Sequence, residues 1–446
     1  MTTEVSRGPV LRPALSRCIQ VDGDEFARDY WGQKPLLSPA ATLAAGFDDL
    51  FSTEAVDELV SVRGVRTPFI RMAQEGSVLK PSSFTAPGGF GAEVGDQVSS
   101  EKVLAEFAAG ATIVLQGLHR LWPPLIDFTR HLVDELAHPT QVNAYITPAS
   151  SRGFDPHYDV HDVFVLQVSG EKHWRIHAPV HADPLRDQPW SDHRDAVARE
   201  AQNAPVIDAV LRPGDALYLP RGWIHSAEAL GGTSVHLTVG VAAYTRAEIV
   251  RALLTSLDEV PTLRASLPLG IDYSDPEALR PLLDDTLAEM VRALTAIPDA
   301  FDTAEIDVAP AGFRPADPAA ALSRRLSSRF ADATRPEPVA PLATVDFIAA
   351  LAPDSAVRWR GSLAARIFSP ADGGPSSSST GSSGGGNTVR IVTATKTVAL
   401  PLEAEAAVRR LHEGGDIRLA DLPGLDADDA VVVTRRLLRE GILVPA

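Results

Sequence analysis

From residue 1 to about 245 the apolar positions come in short runs separated by turn residues. Ala111–Leu115, Val142–Ile146, Val163–Val168, His173–His177, Ala216–Leu219 and Val235–Val241 are rich in β-branched and aromatic side chains, the pattern of strands. This predicts a mainly β core with helical flanks. Beyond Thr245 the period becomes helical. Ile249, Leu253 and Leu257 share one face of a first stretch, and Leu283, Leu287, Met290 and Leu294 recur at i, i+4, i+7 and i+11 in a second that runs to about Ile297. Two amphipathic helices in succession predict an αα-hairpin. Such a pair has little core of its own, and a second copy of the chain is the better cover for its apolar face, which predicts a homodimer.

An Ala- and Pro-rich connection over Ala309–Leu342 carries a short helical piece near Ala319–Phe330. After it, strands are expected at Leu363–Phe368 and Val389–Thr393, on either side of the Gly/Ser tract Gly373–Gly386, which cannot form a core and reads as a flexible hairpin tip. A strand at Lys396–Leu400, a helix at Leu402–Leu411, the segment Ile417–Gly424 and a helix at Ala427–Glu440 presenting Ala430, Val433, Leu437 and Leu438 complete the chain. That order is similar to a winged helix. The expected division is therefore 1–245, 246–339 and 340–446.

Length and charge narrow the function. A chain of 446 residues, 45% apolar, is long enough for roughly three units. With 41 basic and 58 acidic side chains its formal charge is −17, which repels phosphate backbones and anionic membrane surfaces. From Ala340 to the C-terminus 11 basic side chains face 12 acidic ones, so even the winged-helix-like region has no basic stripe for groove binding. No direct nucleic-acid binding is expected. The single cysteine, Cys18, excludes an internal disulfide and any zinc site built from several thiolates. A metal site would have to use His and carboxylate. No run of about 18 apolar residues occurs and the first residues lack a secretory pattern, so a cytoplasmic, non-membrane protein is expected.

The chemistry concentrates in Asn143–Pro179. His157-Tyr158-Asp159 precedes a strand-like run, and on an extended segment side chains at i and i+2 point the same way, so an imidazole and a carboxylate can converge on one ion. A third ligand must come from elsewhere. His225, 66 residues after Asp159 in LRPGDALYLPRGWIHSA, is the candidate. Two histidines and one carboxylate leave open positions on a metal, the facial arrangement of non-haem Fe(II) oxygenases. Lys172 lies 13 residues beyond Asp159, after the turn Ser169-Gly170. If that turn brings the chain back beside the metal, the ammonium enters the barrel and needs an anion there; otherwise it is a surface lysine.

Taken together, FARDYWGQKPLL at Phe26–Leu37, the block from Asn143 to Trp174, PGDALYLPRGWIHSAE at Pro213–Glu228 and SVHLTVG at Ser234–Gly240 resemble the JmjC-domain (cupin-fold) Fe(II)/2-oxoglutarate hydroxylases of the ribosomal-oxygenase type. The resemblance covers nearly the whole chain. It implies a double-stranded β-helix with a helical dimerisation region and a C-terminal winged-helix-like α+β domain. It also implies His157, Asp159 and His225 as iron ligands, Lys172 on the 5-carboxylate of 2-oxoglutarate, and Asn143 and Tyr145 lining the pocket, with Thr238 and His236 as weaker pocket candidates. O₂ would be the second co-substrate, and the target a side chain of a protein, with a basic ribosomal protein as the leading class. A small substrate such as a peptide natural product, N-methyl-lysine demethylation, or a non-catalytic metal-binding cupin would use the same ligands. His161, His173, His177, His181 and His193 crowd the region without a matching role. Trp174 and Trp223 read as core and rim aromatics.

Overall fold

A computed structural model describes residues 12–74, 76–91, 93–149, 155–295, 318–369 and 387–446. The chain divides into two compact units, Met1–Ala243 and Tyr244–Ala446. The Gly/Ser tract and most of the Ala/Pro-rich connection lie outside the described residues.

The first unit is organised by a nine-stranded antiparallel sheet. Its labelled strands are β1 (Leu36–Ser38), β2 (Ile70–Gln74), β3 (Thr112–Leu115), β4 (Thr140–Thr147), β5 (Asp162–His177), β6 (Ile207–Leu211), β7 (Ala216–Leu219) and β8 (Ile224–Val241). They run in the order β1-β7-β5-β8-β4-β3-β2, the short strand Ser77–Val78 completes the β2 edge, and β6 pairs with β5 off this path. Three helices on this scaffold are α1 (Thr53–Ser61), α2 (Ser100–Ala108) and α3 (Pro123–Leu136). Ser52 caps α1 by accepting from the Ala55 N–H, and Pro123 suits the first turn of α3, where no N–H is needed.

Both faces of the central strands are apolar, which explains why the runs read as continuous rather than alternating. One face, with Phe164, Leu166, Tyr218, Leu237, Val239 and Ala144, packs against the N-terminal helices. Phe26, almost wholly buried, inserts there at 4.8 Å from the Tyr218 ring, and the Gly32 N–H donates to the Tyr218 hydroxyl at 2.9 Å. The N-terminal motif is thus the lid of this core. The other face carries a smaller cluster of Val163, Val165, Trp174, Ile176, Leu217 and Leu219.

Two runs expected as separate strands, Val163–Val168 and His173–His177, are one strand. Ser169-Gly170 does not reverse the chain; it bends it. The β5–β8 ladder continues on both sides of Gly170, with a register shift between Leu230 and Val235 of β8. Gly170 has φ of +66°, and a Cβ there would fall 2.2 Å from the Thr233 carbonyl oxygen, so only glycine fits the crossing.

In the second unit, α4 (Arg246–Ser256), α5 (Pro276–Thr295) and α6 (Pro318–Ala333) precede an α+β region. This comprises α7 (Pro341–Ala349), β9 (Ala356–Trp359), β10 (Ala365–Phe368), β11 (Thr388–Thr393), β12 (Thr397–Pro401), α8 (Glu405–His412), β13 (Ile417–Arg418), α9 (Ala427–Arg439) and β14 (Leu443–Pro445). Two three-stranded sheets, β13-β9-β14 and β10-β11-β12, enclose Val357, Ile391, Leu411 and Leu437. The connection expected to extend to Leu342 ends earlier, because Pro341 opens α7. Among the described residues no helix is long and apolar enough to cross a membrane.

Candidate metal and co-substrate site

The bend at Gly170 sets the site. Before it the odd-numbered Val163 and Val165 face inward, and after it the even-numbered Lys172 and Trp174 do, because one bulged residue exchanges the faces of a strand. Strand β8 changes parity in the same way, from His225 and Ala227 to His236 and Thr238. All eight line one cavity of about 310 Å³, together with Tyr145 and Thr147 of β4.

His157 and His225 are joined by an isolated antiparallel bridge, the His157 N–H donating to the His225 carbonyl at 3.2 Å and the His225 N–H to the His157 carbonyl at 2.8 Å. This holds the two imidazoles at a centroid distance of 4.4 Å. The Nδ1 of His157 lies 2.7 Å from the Asp155 carbonyl and that of His225 3.1 Å from the Trp223 carbonyl. A carbonyl can only accept, so both rings carry their proton on Nδ1 and offer Nε2 lone pairs. Asp159 Oδ2 stands 3.8 Å from His225 Nε2, and one ligand atom from each of His157, Asp159 and His225 falls within 4.8 Å of the others. Desolvation disfavours the Asp159 carboxylate, yet His161, His225, His157 and Arg71 more than offset it and hold its carboxyl below the usual range. Burial and the neighbouring His157 push His225 well below the usual imidazole range, against the pull of Asp159. A neutral imidazole and an ionised carboxylate are the protonation states a divalent metal requires.

Lys172 is 3% exposed. Its ammonium donates to Thr147 Oγ1 at 3.1 Å, and no carboxylate pairs with it among the described residues. Burial alone pushes it down to about 7. His236, also buried, stacks on Tyr145 at 5.1 Å with rings nearly parallel, and its Nδ1 has no hydrogen-bond partner among the described residues. Burial, with Lys172 and His225 nearby, keeps it neutral. A buried cation and an unsatisfied buried nitrogen in one cavity fit an anionic ligand that accepts hydrogen bonds there.

Thr238 lines the cavity. Asn143 is turned toward Gly117, whose N–H it accepts at 3.0 Å, and is not among the lining residues. His161 lies against Gly240, His173 pairs with Asp208, and His181 stacks on His193 at 4.5 Å, so none of these joins the three-residue cluster. Trp174 is part of the cavity wall, and Trp223 packs beside the inner cluster. Sequence reading missed Arg71 on β2, which bonds to the Tyr145 phenol, and Trp190 with the Arg194 guanidinium 4.6 Å over its ring. A cation interrupting the apolar run Ile70–Ala73 was the available signal for Arg71.

Residues 121–249 match the family model described as JmjC domain. That stretch of the chain carries a JmjC domain. The chain is 31% identical over 264 residues to the bifunctional lysine-specific demethylase and histidyl-hydroxylase NO66 of Drosophila persimilis, covering 55% of this chain and 35% of that protein. It is 32% identical over 203 residues to ribosomal oxygenase 1 of Rattus norvegicus, covering 43% and 33%. The chain thus spans about a third of the length of these curated relatives. In fold it is similar to YcfD, a ribosomal oxygenase from Escherichia coli, with a TM-score of 0.50 at 16% identity over 96% of this chain and 99% of that one.

Proposed function

We propose that the chain is an Fe(II)- and 2-oxoglutarate-dependent hydroxylase acting on a side chain of a protein, with ribosomal proteins as the leading substrate class. The observation that carries this reading is one cavity holding a two-histidine, one-carboxylate cluster and a buried lysine that has no counter-charge among the described residues. The relatives named histidyl-hydroxylase and ribosomal oxygenase support it. His157, Asp159 and His225 would hold the iron, and Lys172 the distal carboxylate of 2-oxoglutarate. Once bound, the pair would supply the oxidation: 2-oxoglutarate and O₂ become succinate and CO₂, and one oxygen atom is inserted into a substrate C–H bond.

The chain's own residues position and shield. The Asp155 and Trp223 carbonyls keep both imidazoles in the tautomer that presents Nε2. Thr147 aims the Lys172 ammonium across the cavity, Val163, Val165 and Trp174 keep water from its inner end, and the Tyr145–His236 stack forms a wall between them. Trp190, Arg194 and Asp155 line the same cavity and are more exposed than Lys172 and Trp174. The test compares intact masses of ribosomal proteins from wild-type and deletion cells. The expected result is one protein lighter by one oxygen in the deletion strain; identical masses would move the substrate elsewhere.

The Lys172 ammonium gives this reading a proton signature. Above about pH 7 the ligand-free lysine is largely neutral, and a carboxylate placed beside it restores its proton, so 2-oxoglutarate binding takes up about one proton near pH 8.5 and almost none near pH 6. Calorimetry in two buffers of different ionisation enthalpy measures this directly. Uptake that does not vary with pH would remove Lys172 from the carboxylate.

We further assign residues 246–339 to dimerisation and 340–446 to a winged-helix-like domain. What supports the first is the apolar face of α5, where Leu283, Leu287 and Val291 are each about half exposed. Leu283→Glu/Leu287→Glu is expected to halve the mass in sedimentation equilibrium, and an unchanged mass would count against this interface.

A further inference from the structure

A second concavity lies on the reverse of the cavity wall, between α1 and α2. It has a volume of about 500 Å³. Ile146 and Val235 form its floor; they neighbour Tyr145 and His236 in sequence, but alternation along the strands points them to the opposite face. Val60 and Phe107 make the sides, and Leu104 on the lip is 67% exposed among the described residues, leaving apolar surface open beside the groove.

The charged side chains that line this groove are acidic. Asp57 of α1 and Glu101 of α2 line it, and among the described residues no cation does. Glu54 and Glu106 sit on the same two helices. The one lysine there, Lys102, donates to the Ser82 and Thr85 carbonyls, and Arg63, just beyond α1, is paired with Glu58. An apolar floor between two acidic helices is complementary to a segment that is apolar on one side and basic on its flanks.

We propose that the α1–α2 groove is a docking site for a basic amphipathic polypeptide segment, whose apolar side chains enter over Ile146 and Val235 while its Lys or Arg residues meet Asp57 and Glu101. This does not rest on the iron and 2-oxoglutarate reading of the cavity. Acidic amphiphiles, fatty carboxylates included, are disfavoured by the same two carboxylates.

The test uses the full chain and two fluorescein-labelled amphipathic peptides of matched length, one of leucine and lysine, the other of leucine and glutamate. Anisotropy titrations compare the wild type with Asp57→Lys/Glu101→Lys and with Leu104→Ala. All three positions are exposed, so the fold should persist, and circular dichroism verifies it. The Leu/Lys peptide is expected to bind the wild type and to lose tenfold or more in affinity with each variant, while the Leu/Glu peptide does not bind. Failure of the Leu/Lys peptide to bind the wild type overturns the proposal. So does equal binding of the Leu/Glu peptide, or unchanged affinity in either variant, since loss in the charge variant alone would reduce the effect to general attraction by an acidic chain.

Discussion

Asp159→Ala is expected to remove Fe(II) binding and 2-oxoglutarate turnover together while leaving the fold in place. The side chain supplies the only carboxylate of the three-residue cluster, and its charge is maintained by four cationic or potentially cationic neighbours. Without it, only the Nε2 atoms of His157 and His225 remain to hold the ion, and neither neutral imidazole brings a charge that attracts a divalent cation. Loss of an outer partner of a metal ligand costs roughly 10–100-fold in affinity or activity, and loss of the ligand itself should exceed that. Anaerobic iron titration and a succinate assay check the two losses separately. Asp159→Ala protein that still binds one iron tightly would contradict the role.

Lys172→Met should act in opposite directions on stability and on co-substrate binding. In the ligand-free chain the buried ammonium has Thr147 as its hydrogen-bond partner and no counter-charge among the described residues, so the folded state disfavours its proton relative to the unfolded state. The folded value is about 7 against an ordinary 10.5, so between these the unfolded chain binds more protons and stability rises with pH; below about 7 the folded state carries the full cost. An apolar replacement of similar length removes that cost. Lys172→Met is therefore expected to be more stable than wild type by on the order of 1–4 kcal/mol near pH 6, with the gap closing toward pH 10. If Lys172 holds the distal carboxylate as proposed, the same variant removes that partner, and the requirement for 2-oxoglutarate should rise roughly 30-fold or more, because truncating one side of a buried charge pair costs about 2–5 kcal/mol. Denaturant midpoints without ligand and the dependence of succinate production on 2-oxoglutarate measure the two effects. A variant less stable than wild type near pH 6 would show that the lysine already has a partner in the free protein.

The His157–Asp159–His225 cluster was legible because its signal is local. His157 and Asp159 are two positions apart, and His225 follows a Pro/Gly corner that presents it. Lys172 was legible as a candidate, but for a different reason than the one that places it: the chain does not turn back at Gly170, it bends within one strand and exchanges faces. Periodicity cannot report such an exchange, since each half reads as a strand of ordinary pattern. Arg71, Trp190 and Arg194 were illegible because they reach the cavity through topology. Arg71 sits on β2, three strands from β8 in the sheet order, and the other two belong to a connection after β5. Asn143 shows the converse. Its strand was identified and its resemblance implied the pocket, yet its amide oxygen accepts the N–H of Gly117, a contact that only the folded chain creates. The N-terminal motif likewise gave no hint from pattern alone that Phe26 packs between Tyr218 and Phe164.

On the proposed reading His157, Asp159 and His225 form one iron site that opens onto the Lys172 end of the same cavity. Anaerobic equilibrium dialysis of the full chain against Fe(II), with and without 2-oxoglutarate, tests it most directly. One iron per chain is expected, held more tightly when 2-oxoglutarate is present and lost in each of His157→Ala, Asp159→Ala and His225→Ala. Iron that does not saturate at one per chain, or that is retained by any of these three variants, would contradict it.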